Sequence, residues 1–379
     1  MNIIGFYHSL ASDWNHGNAH FLRGVVTDLI TRGHQVAIYE EFNNWSLQHL
    51  VEDAGSEPLS ALRDYYPRLH PRFYLPNELE LDALLEDADV VIVHEWNPPA
   101  LIKAIGEHHK ANPNYVLLFH DTHHRGVSAQ HEMDALDLSG YDGALVFGEV
   151  LRQRYLEKQW VERAWTWHEA ADSRVFRPLP RDHIEGDVVW IGNWGDDERT
   201  NELHEFLLEP VKNLGYQATV HGVRYPPEAL AALEEAGIRY AGWLPNFRAP
   251  EVFARYRMTV HVPRRYYRES LPGIPTIRPF EAMACGIPLI SAPWEDAERL
   301  FTPGLDYLVA EDADEMERHL YALKHDPRRA EAMAQRAFNT IRSRHTCHHR
   351  VDELIQIIDL IKTHRHARLT RRLSPATQV

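Results

Sequence analysis

The stretch "NIIGFYHSLASDWNHGNAHFLRGVVTDLITRGHQVAIYE", Asn2–Glu40, decides the fold. It opens on "NIIGFY", a short apolar run of the kind expected for a strand buried on both faces. A polar loop follows. In "NAHFLRGVVTDLITRG" the residues Phe21, Leu22, Val25, Val26, Leu29 and Ile30 recur at helical spacing, and Gly33 suits a helix stop. "HQVAIYE" reads as the next strand. Strand, helix and strand with compact links form a βαβ unit, which implies a parallel sheet.

Outward from there the rhythm continues. "ADVVIVH" (Ala88–His94), "NYVLLFH" (Asn114–His120) and "GALVFG" (Gly143–Gly148) are further buried-strand patterns. The segment from about residue 42 to 76 is less regular and reads as helices and loops between strands. "DSRVFRPLPRDHIEGD" (Asp172–Asp187), with Pro178 and Pro180, reads as a linker. The alternation then restarts with "DVVWIG", "QATVHG", "IRYAGW", "MTVHVP", "IPLIS" and "DYLVA" as strands. Three helical segments close the chain, and in the last of them Val351, Leu354, Ile355, Ile358 and Ile361 make one apolar stripe. The fold class is α/β, with two doubly wound Rossmann-like domains facing across a cleft. Residues 1–178 form the first domain and 179–345 the second; 346–366 is a helix returning to the first domain and 367–379 a basic tail. Ligands of such sheets sit beyond the carboxyl ends of the strands, so the cleft is the expected site.

Composition narrows the function. In 379 residues there are 40 Lys and Arg against 55 Asp and Glu, a net charge of −15 that argues against a nucleic-acid partner. After Asp359 the sign reverses, with Lys362, Arg365, Arg368, Arg371 and Arg372 and no acid. That tail reads as a solvated basic segment, with peripheral contact to an anionic membrane as the second reading. Two cysteines, no signal-peptide pattern and no long apolar run lead us to expect a cytoplasmic protein. "CHHR" at Cys347–Arg350 has no matching second half for a zinc site, so no metal is expected.

The chemistry-bearing residues follow the strands. Gly17 precedes the first helix, where backbone N–H groups meet anions. "HEWNPP" brings Glu95; "HDTHHRG" brings His120, a hydrogen-bond donor or proton shuttle, and Asp121, a base or the residue that orients it. In "WIGNWGDDERTNEL", Gly192 and Asn193 begin a turn and Arg199 follows, a phosphate cradle without a Walker signature. "RRYYRESLPGIPTIRPFEAMACG" carries Arg264, Arg268 and Arg278, whose forks suit phosphate oxygens. Glu281 reads as a first-turn acid, there either for the helix dipole or to accept hydrogen bonds from a diol such as a ribose.

These motifs resemble the GT-B glycosyltransferases, family 4-like, in the spore-maturation-protein-like (CgeB-like) branch. "RPFEAMACGIPLISAP" carries the resemblance most strongly; "YAGWLPNFRAPEVFARYRMTVHVPR", "HEAADSRVFRP" and "GNAHFLRGVVTDLITRGHQVAIY" support it in the expected order. The resemblance implies GT-B architecture and transfer of a sugar from a nucleoside diphosphate sugar to an acceptor hydroxyl, with retention and without a metal or other cofactor. It implies Glu281 on the ribose, Arg199 and Arg264 on the diphosphate, backbone around Trp243 and Leu244 on the base, and His120 facing the transferred sugar. One departure stands out: where many such enzymes place a second glutamate upstream, this chain has Gly273, and the nearest upstream acid is Glu269. Two alternatives therefore stay open, an inactive nucleotide-sugar-binding or scaffold protein and a nucleotide-sugar epimerase on the same fold. The acceptor is not legible.

Overall fold

The computed structural model describes residues 1–373, with side chains to Ala367 except that of Asp196. The assigned tail 367–379 thus lies outside the residues described with side chains, apart from Ala367.

The first sheet holds seven strands: β1 Asn2–Phe6, β2 Gln35–Glu41, β3 Arg72–Tyr74, β4 Val90–His94, β5 Val116–Asp121, β6 Gly143–Val146 and β7 Ala164–Thr166. Its order is β3-β2-β1-β4-β5-β6-β7, and every pairing is parallel. The second sheet holds six: β8 Gly186–Ile191, β9 Ala218–His221, β10 Ile238–Tyr240, β11 Tyr256–His261, β12 Leu289–Ser291 and β13 Leu308–Val309. Its order, β10-β9-β8-β11-β12-β13, is again all parallel. Continuous apolar runs make this possible: β4, β5 and β8 are buried along their whole length.

The irregular segment holds helices Trp45–Ala54 and Glu57–Tyr65, and also β3, which pattern reading did not find. β7 was missed as well. Both are three-residue strands at the two edges of the sheet, too short to show a period.

The helix Cys347–Leu373 lies against the first helix, Ala19–Thr31. Val351, Leu354, Ile358 and Ile361 are buried in the same core as Ile3, Phe21 and Val25. Each such side chain stabilises by about 1.5–3 kcal/mol before entropy is counted. Arg365, read as part of the basic stretch, instead pairs with Asp142 at 2.6 Å and donates to the Tyr115 carbonyl at 2.8 Å. Its charge anchors the helix to the first domain.

The two domains also share cores. Leu271 and Ile274 of the second are buried among Phe119, Val146 and Tyr155 of the first. No helix among the described residues is long and apolar enough to cross a membrane.

Candidate active site

Each sheet reverses strand order once, between β1 and β4 and between β8 and β11. Loops diverge at such points and leave a crevice. The two crevices face one another and enclose a cavity of about 610 Å³. Of the residues the sequence singled out, Gly17, Gly192, Asn193, Arg199, Trp243, Leu244, Arg264 and Arg278 line it.

Arg199 is the most telling. Its guanidinium donates only to carbonyls, those of Val262 at 3.1 Å, Trp194 at 3.4 Å and Asn193, and it lies 5.1 Å from the centre of the Trp190 ring. Among the described residues no carboxylate hydrogen-bonds to it. Burial, with Arg264 nearby, pulls its pKa down to about 9. Arg264 faces the same cavity but is held by Glu198 at 2.6 Å. Thr276, Ile277 and Arg278, at the N-terminus of helix Ile277–Ala284, also form part of the wall. Thr276 has φ 59° and ψ −179°, a strained conformation for a β-branched residue. Its side chain makes no capping bond, and the helix N-terminus meets the cavity.

Glu281 does not line the cavity. It lies in the second turn of its helix, not the first, so the dipole does not explain it. It is fully buried and accepts from Asn246 at 2.8 Å and from Arg278. Its third partner is His20 Nδ1, 2.7 Å away on the first domain. Burial alone would raise its pKa; Arg278 and His20 outweigh that and hold it below the usual range. Glu281 thus ties the two domains together in this arrangement.

The residues expected for catalysis also lie behind the wall. β5 runs to Asp121, one residue beyond the expected strand end at His120, so Asp121 too is a strand residue. His120 is fully buried beside Trp167, at 4.8 Å between ring centres, and neither ring nitrogen has a hydrogen-bond partner. Burial pushes its pKa down to about 3. Asp121 accepts from Tyr155 Oη at 2.5 Å and from the His123 amide at 2.9 Å. Glu95 accepts from Arg125 at 2.8 Å and the Thr122 amide at 2.9 Å. Burial raises the pKa of both acids. Arg268 stays outside the cavity, 3.7 Å from Glu202.

The glycine at the expected second-glutamate position has a physical reason. Gly273 has φ +88°, and a Cβ there would lie 2.8 Å from Glu298 Cγ. The Glu298 carboxylate fills this place and bridges the His168 ring at 2.8 Å and the Glu149 amide at 2.8 Å.

Sequence reading passed over several residues that matter here. His16 and His261 line the cavity, both with pKa values lowered by burial. His16 sits in the loop after β1 beside Gly17, where its position was the available signal. Glu169 is buried with an unpartnered Oε1, and burial, together with Glu281, raises its pKa well above the usual range. Nothing local in "WHEAAD" foretells that. Among the described residues no group of three or more His, Cys, Asp or Glu side chains is placed to hold a metal ion.

Two parallel-sheet domains opposed across a cation-lined cleft define the GT-B fold. Comparison with known proteins agrees. Residues 199–356 match a family model described as glycosyl transferase-like. Anabaena Alr3699/HepE, in complex with UDP and glucose, is similar at TM-score 0.67 and 13% identity, over 95% of this chain and 99% of that one. Sucrose-phosphate synthase from Thermosynechococcus elongatus matches at TM-score 0.63 and 13% identity, over 96% and 100%. A glycosyltransferase from Rickettsia africae matches at TM-score 0.65 and 11% identity, over 95% and 98%. No curated protein matches the sequence.

Proposed function

We propose that the chain is a glycosyltransferase that moves a hexose from a nucleoside diphosphate sugar to an acceptor hydroxyl. The observation that carries this reading is Arg199, a guanidinium in the cleft wall that hydrogen-bonds to carbonyls and, among the described residues, to no carboxylate. A diphosphate supplies the charge it lacks. Arg264, Arg278 and the helix N-terminus at Ile277 add positive potential in the same cavity. The likeness to a fold seen with UDP and glucose supports the same ligand class.

In the reaction the bond between the sugar and the diphosphate breaks, and negative charge grows on the leaving phosphate. Fixed cations in a partly dry cleft stabilise that charge best, because they need no reorganisation as it develops. Protein cations fill this role in the proposal, so it calls on no metal. Asp13 is the sole carboxylate among the described residues lining the cavity, and it is held by Arg23 at 2.8 Å and by the Asn246 amide at 3.2 Å. Asp13 is tied to Arg23 and Asn246 through Oδ2, with Oδ1 unpartnered; we favour retention, in which the acceptor attacks the face the leaving group departs from and the departing phosphate takes the acceptor proton.

His16 faces the transferred sugar in this reading, since it lines the cavity and His120 does not. Glu281 lies behind the wall, so it serves as the ribose ligand in this proposal only when the domains part and release it from His20. Titration calorimetry with UDP, GDP, ADP and TDP tests the site directly. One of them should bind the wild type and lose affinity in Arg199→Met; no binding by any of the four sinks the proposal.

A further inference from the structure

Two more concavities follow the donor cleft in series, each sharing lining residues with the one before. The first, of about 590 Å³, shares His8, Trp45 and Trp96 with the cleft wall. Its other walls include Glu41, Glu132 and Asn97, with Arg125 as the sole Lys or Arg. Arg125 covers the Trp96 ring at 4.4 Å and is itself paired with Glu95 at 2.8 Å. Carboxylates therefore dominate this pocket, which disfavours phosphorylated or otherwise anionic ligands. Hydroxyl groups suit it, because ionised carboxylates only accept hydrogen bonds and hydroxyls donate them. Trp45 and Trp96 are 41% and 40% exposed and offer flat apolar surface beside those acceptors.

The second concavity, of about 690 Å³, begins at Asn43, which it shares with the first. Here the lining turns apolar, with Phe42, Phe73, Leu75, Leu79 and Leu84. Phe42 is 58% exposed and Phe73 45%, their rings edge to face at 6.2 Å. Phe73 belongs to the edge strand β3. Large apolar side chains grouped at a sheet edge need an occupant or they invite aggregation.

We infer that the acceptor is an amphiphile: a neutral saccharide head in the acid-and-tryptophan pocket and a hydrocarbon tail in the Phe42–Phe73 groove. The inference rests on the donor reading above, since the cleft supplies the sugar to be transferred. The apolar lining of the outer groove, next to the middle pocket, identifies the tail, and the charge of the middle pocket identifies the head.

The test compares methyl and octyl glycosides of glucose, galactose and mannose, below micelle-forming concentrations, by calorimetry on the full chain with and without UDP. At least one octyl glycoside should bind roughly tenfold or more tightly than its methyl partner. The double variant Phe42→Ser, Phe73→Ser should abolish that gain and leave UDP affinity unchanged. Three results overturn the inference: equal affinity of octyl and methyl forms, no binding by any member of the panel, or a gain that survives the double variant. A concentration-dependent dimer that the double variant dissolves also overturns it, because a second copy then fills the groove. Failure of UDP, GDP, ADP and TDP alike to bind, with the chain-length dependence intact, strikes the donor reading alone.

Discussion

Replacing Arg199 by methionine removes a charge while keeping most of the side chain's length. In the ligand-free protein that charge is a burden. Its pKa falls to about 9 through burial and the nearby Arg264. At about 1.4 kcal/mol per pKa unit the burden is on the order of a few kcal/mol, reduced by water in the open cleft. Against it stand hydrogen bonds to three carbonyls, each worth about 1 kcal/mol net, or more to a charged donor. The two nearly offset, so Arg199→Met should change the urea midpoint little. UDP binding should suffer far more. Losing one charge-assisted fork to a diphosphate costs about 1.5–3 kcal/mol, or roughly 10- to 150-fold in Kd. Calorimetry with UDP and urea unfolding on the same samples read both quantities. Unchanged Kd refutes the phosphate role; large destabilisation with proportionate loss of binding shows that the carbonyl contacts are the residue's purpose.

Glu281→Ala should cost about 3–5 kcal/mol in urea unfolding, because it strands buried His20 and Arg278; a cost under 1 kcal/mol contradicts the interdomain tie. His16→Ala should lower turnover, measured as UDP release, more than it lowers UDP affinity, whereas His120→Leu should spare turnover; the reverse pattern would return the sugar-facing role to His120. His120 also makes a pH prediction. Its folded pKa of about 3 lies below the unfolded imidazole value, so its contribution is complete above about pH 6.5 and is lost as pH falls towards 3, by about 1.4 kcal/mol per unit. His120→Leu should flatten the decline of stability between pH 6 and 4.5 by about that slope, and an unaltered slope would show that the ring is hydrated. Gly273→Ala should destabilise by about 1–3 kcal/mol, since it meets both the positive φ and Glu298; a neutral thermal shift would mean that this loop gives way easily.

The fold was legible because parallel strands buried on both faces write themselves as unbroken apolar runs, as in "ADVVIVH" and "NYVLLFH". Helical stripes between them, and Gly33 closing the first helix, completed the alternation. Strand ends then marked the loops that form the cleft, and Gly17, Arg199, Arg264 and Arg278 were found that way. β3 and β7 escaped because three residues at a sheet edge carry no period.

Which strand-end residue faces the cavity was a different question. Successive side chains on a strand point to opposite faces, and β5 runs to Asp121, one residue past the expected end at His120. Both His120 and Asp121 are therefore held in the core, and Thr122, His123 and His124 are left at the cavity. Local pattern cannot place a strand end so closely, because hydrogen bonds to neighbouring strands define it. Glu281 shows the same limit over a longer range. "RPFEAMACG" announces a buried acid near a helix start, but its partner His20 comes from another domain. The linear order of residues established two α/β units, their cleft and the arginines around it. The docking of one domain on the other, a matter of long-range packing, determined which charges meet a carboxylate, as Arg278 meets Glu281, and which, like Arg199, meet only carbonyls among the described residues.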